Sequence, residues 1–441
     1  PGQFGWRATL HHELAHVITL ELSKGRVPRW LTEGLSVYEE RQVTPQWNRE
    51  MERALIDALA SGEVLTLEEI NTAFRGPRVM FAYYQGGLMC EMIERDFGFD
   101  ALREMVRLYG DGRPTPAVVT QALGIGPEEF DTRFLAYARD YVAPLRVLAR
   151  PSEARMRTLA RALRSSPEDA DGWLLLAAGH VARGRSSDAL AAISSAVKAA
   201  PDDPRIPQLR ALVAAAQGRR DKAVEFAAEA VAGGADLFEL RMLLADAAAA
   251  RSDFEGAKTH LRRAIELFPV VTGGGSPRLK LAELLMGEGE ATLGEAMDLF
   301  RAHADVAEDD FEVRLRLAAY YRETGRAAEE LATLLEVRDV VPLPNGPYGR
   351  RQALAVHERL ADLFEAGERP ADAELSRRLA VGVARIETRN PQDPPLAGPE
   401  LADLLVRHAE ALRRIGDVCE AQFRADEALR MAPENEGAGS V

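Results

Sequence analysis

The sequence predicts an all-α protein with two parts, a helical N-terminal domain and a longer solenoid of stacked helical hairpins. Alanine, leucine, arginine and glutamate dominate the composition and favour helix. No segment alternates convincingly between polar and apolar residues as a strand would. From about residue 151 the chain repeats with a period of 34 residues. We therefore expect two domains, residues 1–148 and residues 149–441.

The size and charge of the chain limit the classes of function. Its 441 residues are too many for one ordinary hydrophobic core. The formal net charge of -14 argues against nucleic acid as the main partner, because a phosphate backbone demands a basic surface. No stretch of about twenty apolar residues predicts a transmembrane segment. Cys90 and Cys419 are far apart in sequence, and we interpret them as two buried or half-buried thiols.

The N-terminal domain shows a series of helical patterns separated by glycine and proline. Leu10, Leu14, Val17 and Ile18 are spaced to form one apolar stripe of the first helix. Glycine or proline residues mark the ends of most of these predicted helices. The predicted helices cover residues 8–24, 30–41, 46–60, 66–74 and 81–97, followed by two or three short helices within 99–148.

The second part repeats small residues at a fixed interval. Ala189, Ala223 and Ala257 are each 34 residues apart, and a second alanine series shows the same spacing. This period is typical of stacked helix hairpins, in which alanine lets two helices cross closely. The segments Val270–Ser276 and Val341–Tyr348 are predicted to be loops that interrupt the array.

The first repeat resembles the tetratricopeptide consensus. The resemblance covers about residues 165–435 and implies a protein partner bound on the repeat array, without identifying it. The matching positions in the first repeat are Trp173, Leu176, Ala177, Gly184, Ala189, Ala196 and Pro201.

A metal-binding pattern lies near the start of the chain. His12 and His16 stand four residues apart on a predicted helix, so both imidazoles can bind one metal ion. Glu13 follows the first histidine and can act as a general base on a water molecule without binding the metal. A catalytic Zn²⁺ needs a third protein ligand and an open position, and Glu33 is the best candidate. The sequence thus predicts a zinc site with His12, His16 and Glu33 as ligands and Glu13 as a catalytic residue.

Two motifs together resemble the gluzincin zinc peptidases, in particular the peptidase MA-like and aminopeptidase-like domains. They are His-Glu-x-x-His at 12–16 and Trp-Leu-Thr-Glu-Gly at 30–34. Sixteen residues separate His16 from Glu33, fewer than is usual in the aminopeptidases of the group. The resemblance implies the C-terminal helical part of a metallopeptidase domain that hydrolyses peptide bonds.

The same resemblance suggests a further catalytic residue. In the family, a tyrosine that starts a Tyr-x-x-Gly turn stabilises the developing oxyanion, and Tyr83 matches that place. Tyr84 is the alternative, and either tyrosine can instead simply pack in the hydrophobic core. Glu40 lies on the same helix face as Glu33, where it can hydrogen-bond a ligand histidine or simply remain solvated.

Two functions remain open at this point. The first is a zinc-dependent peptidase whose repeats recruit a peptide or protein substrate or a partner. The second is a catalytically inactive, peptidase-like domain on a scaffold for protein–protein interaction. Because the zinc motif begins after only eleven residues, we expect a fragment of a longer protein. The pattern does not distinguish exopeptidase from endopeptidase, and the resemblance favours the bacterial cell envelope or exterior.

Overall fold

The computed structural model describes residues 6–46, 48–307, 310–340, 349–387, 394–435 and 437–438. These residues form helices joined by turns, and the part of the chain they cover contains no strand. The all-α class is therefore confirmed. Within the same residues, no helix has the length and apolar content needed to cross a bilayer.

Eight helices form the part of the chain that precedes the repeats. They agree with the predicted pattern except at two places. At 46–60 a 3-10 helix precedes an α-helix that begins only at Glu52, and at 66–74 turns surround a single short helix. Thr66 and Glu69 exchange hydrogen bonds as a capping box just before this short helix. The helices are α1 (Trp6–Leu22), α2 (Arg29–Val43), α3 (Glu52–Ser61), α4 (Ile70–Ala73), α5 (Val79–Phe97), α6 (Phe99–Gly110), α7 (Thr115–Leu123) and α8 (Pro127–Val142), with a 3-10 helix at Arg49–Met51.

Helices α2 and α5 cross in the middle of this core at two glycines. A Cβ atom added at Gly34 would lie 2.6 Å from the backbone oxygen of Gly86, closer than real Cβ contacts come. The two backbones can approach this far only because neither residue has a side chain. Trp30, Leu31 and Leu88 are fully buried around the crossing. The crossing fixes α2, which also contains Glu33.

The second part consists of helical hairpins. Helix α10 packs on α11, α12 on α13, α14 on α15, α18 on α19, α20 on α21, and α22 on α23. The helices are α9 (Glu153–Ala162), α10 (Ala170–Ala182), α11 (Ser186–Ala199), α12 (Arg205–Ala216), α13 (Arg220–Ala232), α14 (Phe238–Ala250), α15 (Phe254–Leu267), α16 (Pro277–Met286), α17 (Glu290–Ala304), α18 (Phe311–Glu323), α19 (Ala327–Val340), α20 (Gly349–Ala366), α21 (Pro370–Arg385), α22 (Gly398–Arg414) and α23 (Val418–Met431).

The 34-residue period is also visible in side-chain contacts. Arg205 pairs with Asp171 at 2.6 Å, and Lys280 pairs with Asp246 at 2.6 Å, so each pair joins equivalent positions of neighbouring hairpins. The repeated alanines are buried where the helices cross. The loop expected at Val270–Ser276 is present and contains a 3-10 turn. The other expected loop, Val341–Tyr348, lies outside the described residues.

The chain forms two compact units, one of which spans Arg7–Ala296 and the other of which contains the chain from Met297 onward. The first unit holds α1–α8 together with the first hairpins. Cys90 is buried as predicted, but Cys419 is exposed. The expectation for Cys419 was wrong because it lies on the side of α23 opposite the buried alanines of that helix.

Candidate metal site

The ring nitrogens of two histidines and one carboxylate oxygen converge between α1 and α2. His12 Nε2 lies 3.2 Å and His16 Nε2 lies 3.1 Å from the same oxygen, Oε2 of Glu33. Ligand atoms from these three residues all lie within 4.8 Å of one another. The structure thus brings together the three residues that the sequence singled out as metal ligands.

Local sequence explains the arrangement. The four-residue spacing places His12 and His16 on one side of α1, and their rings meet edge-on with centroids 4.7 Å apart. Gly25 then turns the chain with a φ of 71°. Pro28 sits at the N-cap of α2, so the new helix begins one turn before Glu33. Helix α2 therefore returns along α1 with its carboxylate facing the histidines.

The second nitrogen of each histidine has its own partner. His12 Nδ1 lies 2.9 Å from Glu40 Oε1, and Asn48 donates to the other oxygen of Glu40. This is the contact that the position of Glu40 on α2 suggested. His16 Nδ1 lies 2.8 Å from Thr32 Oγ1. Partners of this kind fix the orientation of an imidazole and leave its other nitrogen directed at a metal.

The two oxygens of Glu33 have different surroundings. Oε2 faces the histidines, whereas Oε1 accepts hydrogen bonds from Arg29 Nε at 3.0 Å and from the Tyr83 hydroxyl at 3.2 Å. The side chain of Glu33 is only 10% exposed. Sequence reasoning missed Arg29 and Thr32, although both belong to the segment 28–34 that carries the second motif.

The hydrogen bonds within the cluster shift the pKa values of His12 and Glu33. Burial lowers the pKa of His12, but hydrogen bonds with Glu33 and Glu40 outweigh it and raise the pKa to about 9. Burial raises the pKa of Glu33, but hydrogen bonds from His12 and Arg29 outweigh it and lower the pKa to about 2. Glu33 is thus held ionised. Two imidazole nitrogens and one carboxylate oxygen form a donor set that suits Zn²⁺ with one position left for water or substrate.

The structure distinguishes the two tyrosines. Tyr83 contacts Glu33 through its hydroxyl, and its ring centroid lies 6.1 Å from that of His12. Tyr84 is 1% exposed and belongs to the core, near Arg41. Tyr83 is therefore the tyrosine that lies at the site.

Glu13 lies on the exposed side of α1, between the two histidines in sequence. No described residue forms a hydrogen bond or an ion pair with its carboxylate. His11 turns away from the cluster and lines a separate apolar groove of about 330 Å³ between α1 and α6, with Leu14, Ile18 and Phe99. The groove therefore lies beside α1 and does not include the atoms that could bind a metal.

Comparison with known proteins identifies the repeats. The tetratricopeptide repeat family matches residues 150–213, so the chain contains repeats of this type. None of the curated proteins matches the chain.

Several solved structures are similar to this chain at low sequence identity. YrrB, a tetratricopeptide protein with an unusual peptide-binding site, is 19% identical over 41% of this chain and 91% of its own, with a TM-score of 0.32. The C-terminal part of a repeat protein from Cytophaga hutchinsonii is 12% identical over 60% of this chain and 98% of its own, with a TM-score of 0.33. A repeat protein from Parabacteroides merdae is 14% identical over 62% and 96%, with a TM-score of 0.29.

Proposed function

We propose that the site between α1 and α2 is the zinc centre of a metallopeptidase, and that the repeats bind its protein substrate or a partner. The observation that carries the proposal is the convergence of His12, His16 and Glu33, whose ligand atoms lie within 4.8 Å of one another. Two histidines that only packed at a helix contact would not need a hydrogen-bond partner at the second nitrogen of each ring, as His12 and His16 have.

Each residue at the site has a part in the proposed reaction. A bound Zn²⁺ would act as a Lewis acid on the peptide carbonyl and on the attacking water. The exposed carboxylate of Glu13 would take the proton of that water as general base and pass it to the leaving amine. The Tyr83 hydroxyl, which donates to Glu33 Oε1 in this structure, would turn its proton to the oxygen of the peptide carbonyl as negative charge develops on it.

The helical hairpins form a tetratricopeptide-type array, an architecture for protein–protein interaction. In the proposed function this array selects which protein reaches the zinc site. The segment between the two parts supports this role, because Arg53 of α3 donates to Leu148 O and pairs with Glu239 of α14. These bonds join the helices that follow the site to a hairpin of the same compact unit.

The second candidate function is a scaffold that holds metal but cleaves nothing. Two observations favour it. The family match lies entirely within the repeats, and no described residue orients the carboxylate of Glu13. In that case the metal site would have a structural role, and the array alone would carry the biological function.

A pair of substitutions separates the two candidates. Glu13→Gln keeps the size of the side chain but cannot accept a proton, so a peptidase should lose about 10²–10⁴-fold in rate and keep its zinc. Glu33→Gln removes a negatively charged ligand and should lower the zinc content itself. Glu21→Gln, at an exposed position of the same helix, is the matched control. Zinc content and cleavage of a peptide library would be measured with and without chelator.

The outcomes are distinct. The peptidase requires zinc-dependent cleavage by the parent and the Glu21→Gln protein, and cleavage slower by about 10²-fold or more by Glu13→Gln with its metal retained. Bound zinc with no cleavage of any peptide in the library supports the scaffold. A parent protein that takes up no zinc on titration contradicts both the metal site and the peptidase.

A further inference from the structure

The position of Arg29 beside the ligand cluster suggests a role beyond an ordinary surface ion pair. Arg29 is the first residue of α2 and lies one helical turn before Glu33. Its Nε donates to Glu33 Oε1 at 3.0 Å, and its Nη2 donates to the Tyr83 hydroxyl at 3.1 Å. The guanidinium also lies 5.2 Å from the ring centroid of Phe74. Although the side chain is 48% exposed, three contacts hold its head group in place.

These contacts restrict how Glu33 can bind a metal ion. Oε1 accepts from both Arg29 and Tyr83, so its lone pairs are directed away from the histidines. Only Oε2 faces the two Nε2 atoms. A carboxylate held in this way offers one oxygen to the metal. Without Arg29, the carboxylate would keep one of its two restraints and could turn to offer both oxygens.

The same contacts direct the proton of Tyr83. A phenol has one proton to donate, and the Tyr83 oxygen already accepts the Arg29 Nη2–H. The hydroxyl proton must therefore point elsewhere, and in this structure it reaches Glu33 Oε1. The hydroxyl is thereby held as a donor on the side of the ligand cluster.

On the basis of the proposed zinc centre, we infer that Arg29 is a positioning residue of the site. It holds Glu33 so that a single oxygen binds the metal, and it orients the Tyr83 hydroxyl as a hydrogen-bond donor. The planar guanidinium suits this task because it can donate to two acceptors from fixed directions, which a lysine ammonium on a flexible stem does less well.

The chain contains a matched ion pair that lacks these features. Arg133 pairs with Glu129 at the same four-residue spacing and lies over the ring of Phe97. Both side chains of that pair are well exposed, at 43% and 51%. An exposed ion pair of this kind contributes little to the stability of the fold. Arg133→Gln is therefore the control for the loss of a surface arginine.

The test uses the full chain with Arg29→Gln, Arg29→Lys and Arg133→Gln. Zinc affinity is measured by competition with a chromophoric chelator, and the coordination number by visible absorption of the cobalt-substituted protein. We expect Arg29→Gln to weaken zinc binding about 10–100-fold and to change the cobalt spectrum. The zinc affinity of Arg29→Lys should lie between that of Arg29→Gln and that of the parent. Arg133→Gln should match the parent in both zinc affinity and the cobalt spectrum.

Each outcome has one interpretation. If Arg29→Gln and Arg29→Lys both bind zinc and cobalt as the parent does, the inference about Arg29 is overturned while the zinc centre stands. If the parent binds neither metal, the proposed function fails and the inference fails with it. If circular dichroism shows that Arg29→Gln has lost helix, Arg29→Lys decides: weakened binding supports the inference, and parent-like binding with an unchanged cobalt spectrum overturns it.

Discussion

His12 Nδ1 lies 2.9 Å from Glu40 Oε1, a contact that joins α1 to the last turn of α2 across 28 residues of sequence. Glu40 is itself held by Asn48, and its carboxylate is nearly buried. The pair therefore fixes the ring of His12 from the side opposite Glu33.

Glu40→Gln should weaken zinc binding by about 10–100-fold without removing the site, because the amide can still hydrogen-bond but lacks the charge that makes the imidazole a better ligand. Zinc affinity would be measured by chelator competition, with Glu21→Gln as the control on α1. Unchanged zinc affinity would mean that the hydrogen bond between His12 and Glu40 does not strengthen zinc binding.

Gly34→Ala should destabilise the N-terminal helices by roughly 1–3 kcal/mol, because the added methyl meets the backbone of Gly86 at the crossing of α2 and α5. The control is Gly382→Ala, at an exposed helical position where a Cβ meets nothing within 4 Å. That change should stabilise the second unit by about 0.4–1 kcal/mol. Thermal melts followed by circular dichroism would show opposite shifts, and two shifts of the same sign would contradict the packing argument.

The unit that contains α20 should lose stability as the pH falls from about 6.5 toward 4. Burial and the nearby charge of Arg338 lower the pKa of His357 to about 4. Between this value and the ordinary value of 6.5, the unfolded chain binds more protons than the folded chain, so acid favours unfolding. His357→Gln should remove this part of the dependence. The check is the urea midpoint of both proteins at pH 7 and pH 5, and an identical drop in both would exclude His357 as the cause.

Glu239→Gln should loosen the segment that joins α8 to α9. Glu239 pairs with Arg53 and accepts from the backbone N–H of Leu148, so the substitution weakens both contacts. Trypsin should then cleave after Arg146 faster than in the parent, as mass spectrometry of the fragments would show. Glu225→Gln, which affects only an exposed pair with Lys222, should leave the rate unchanged. If Glu239→Gln is cleaved no faster than the parent, Glu239 does not hold the segment.

The helical elements and the ligand candidates were accessible from sequence because both depend on short-range periodicity. A four-residue spacing places His12 and His16 on one face of any helix, and a 34-residue period predicts hairpins whatever their partners. The helix predicted over 66–74 was too long, since only Ile70–Ala73 form an α-helix and turns lie on both sides of it.

The sequence by itself determined the all-α class and the repeat array, and it singled out His12, His16 and Glu33 as candidate metal ligands. Only the tertiary structure decided that Tyr83 and not Tyr84 lies at the site, that Glu40 and Thr32 hold the histidines, and that Arg29 holds one oxygen of Glu33. The physical reason is distance along the chain. Periodicity fixes which face of a helix a residue occupies, whereas the partner of that face depends on how separate helices cross, here at the two glycines of α2 and α5.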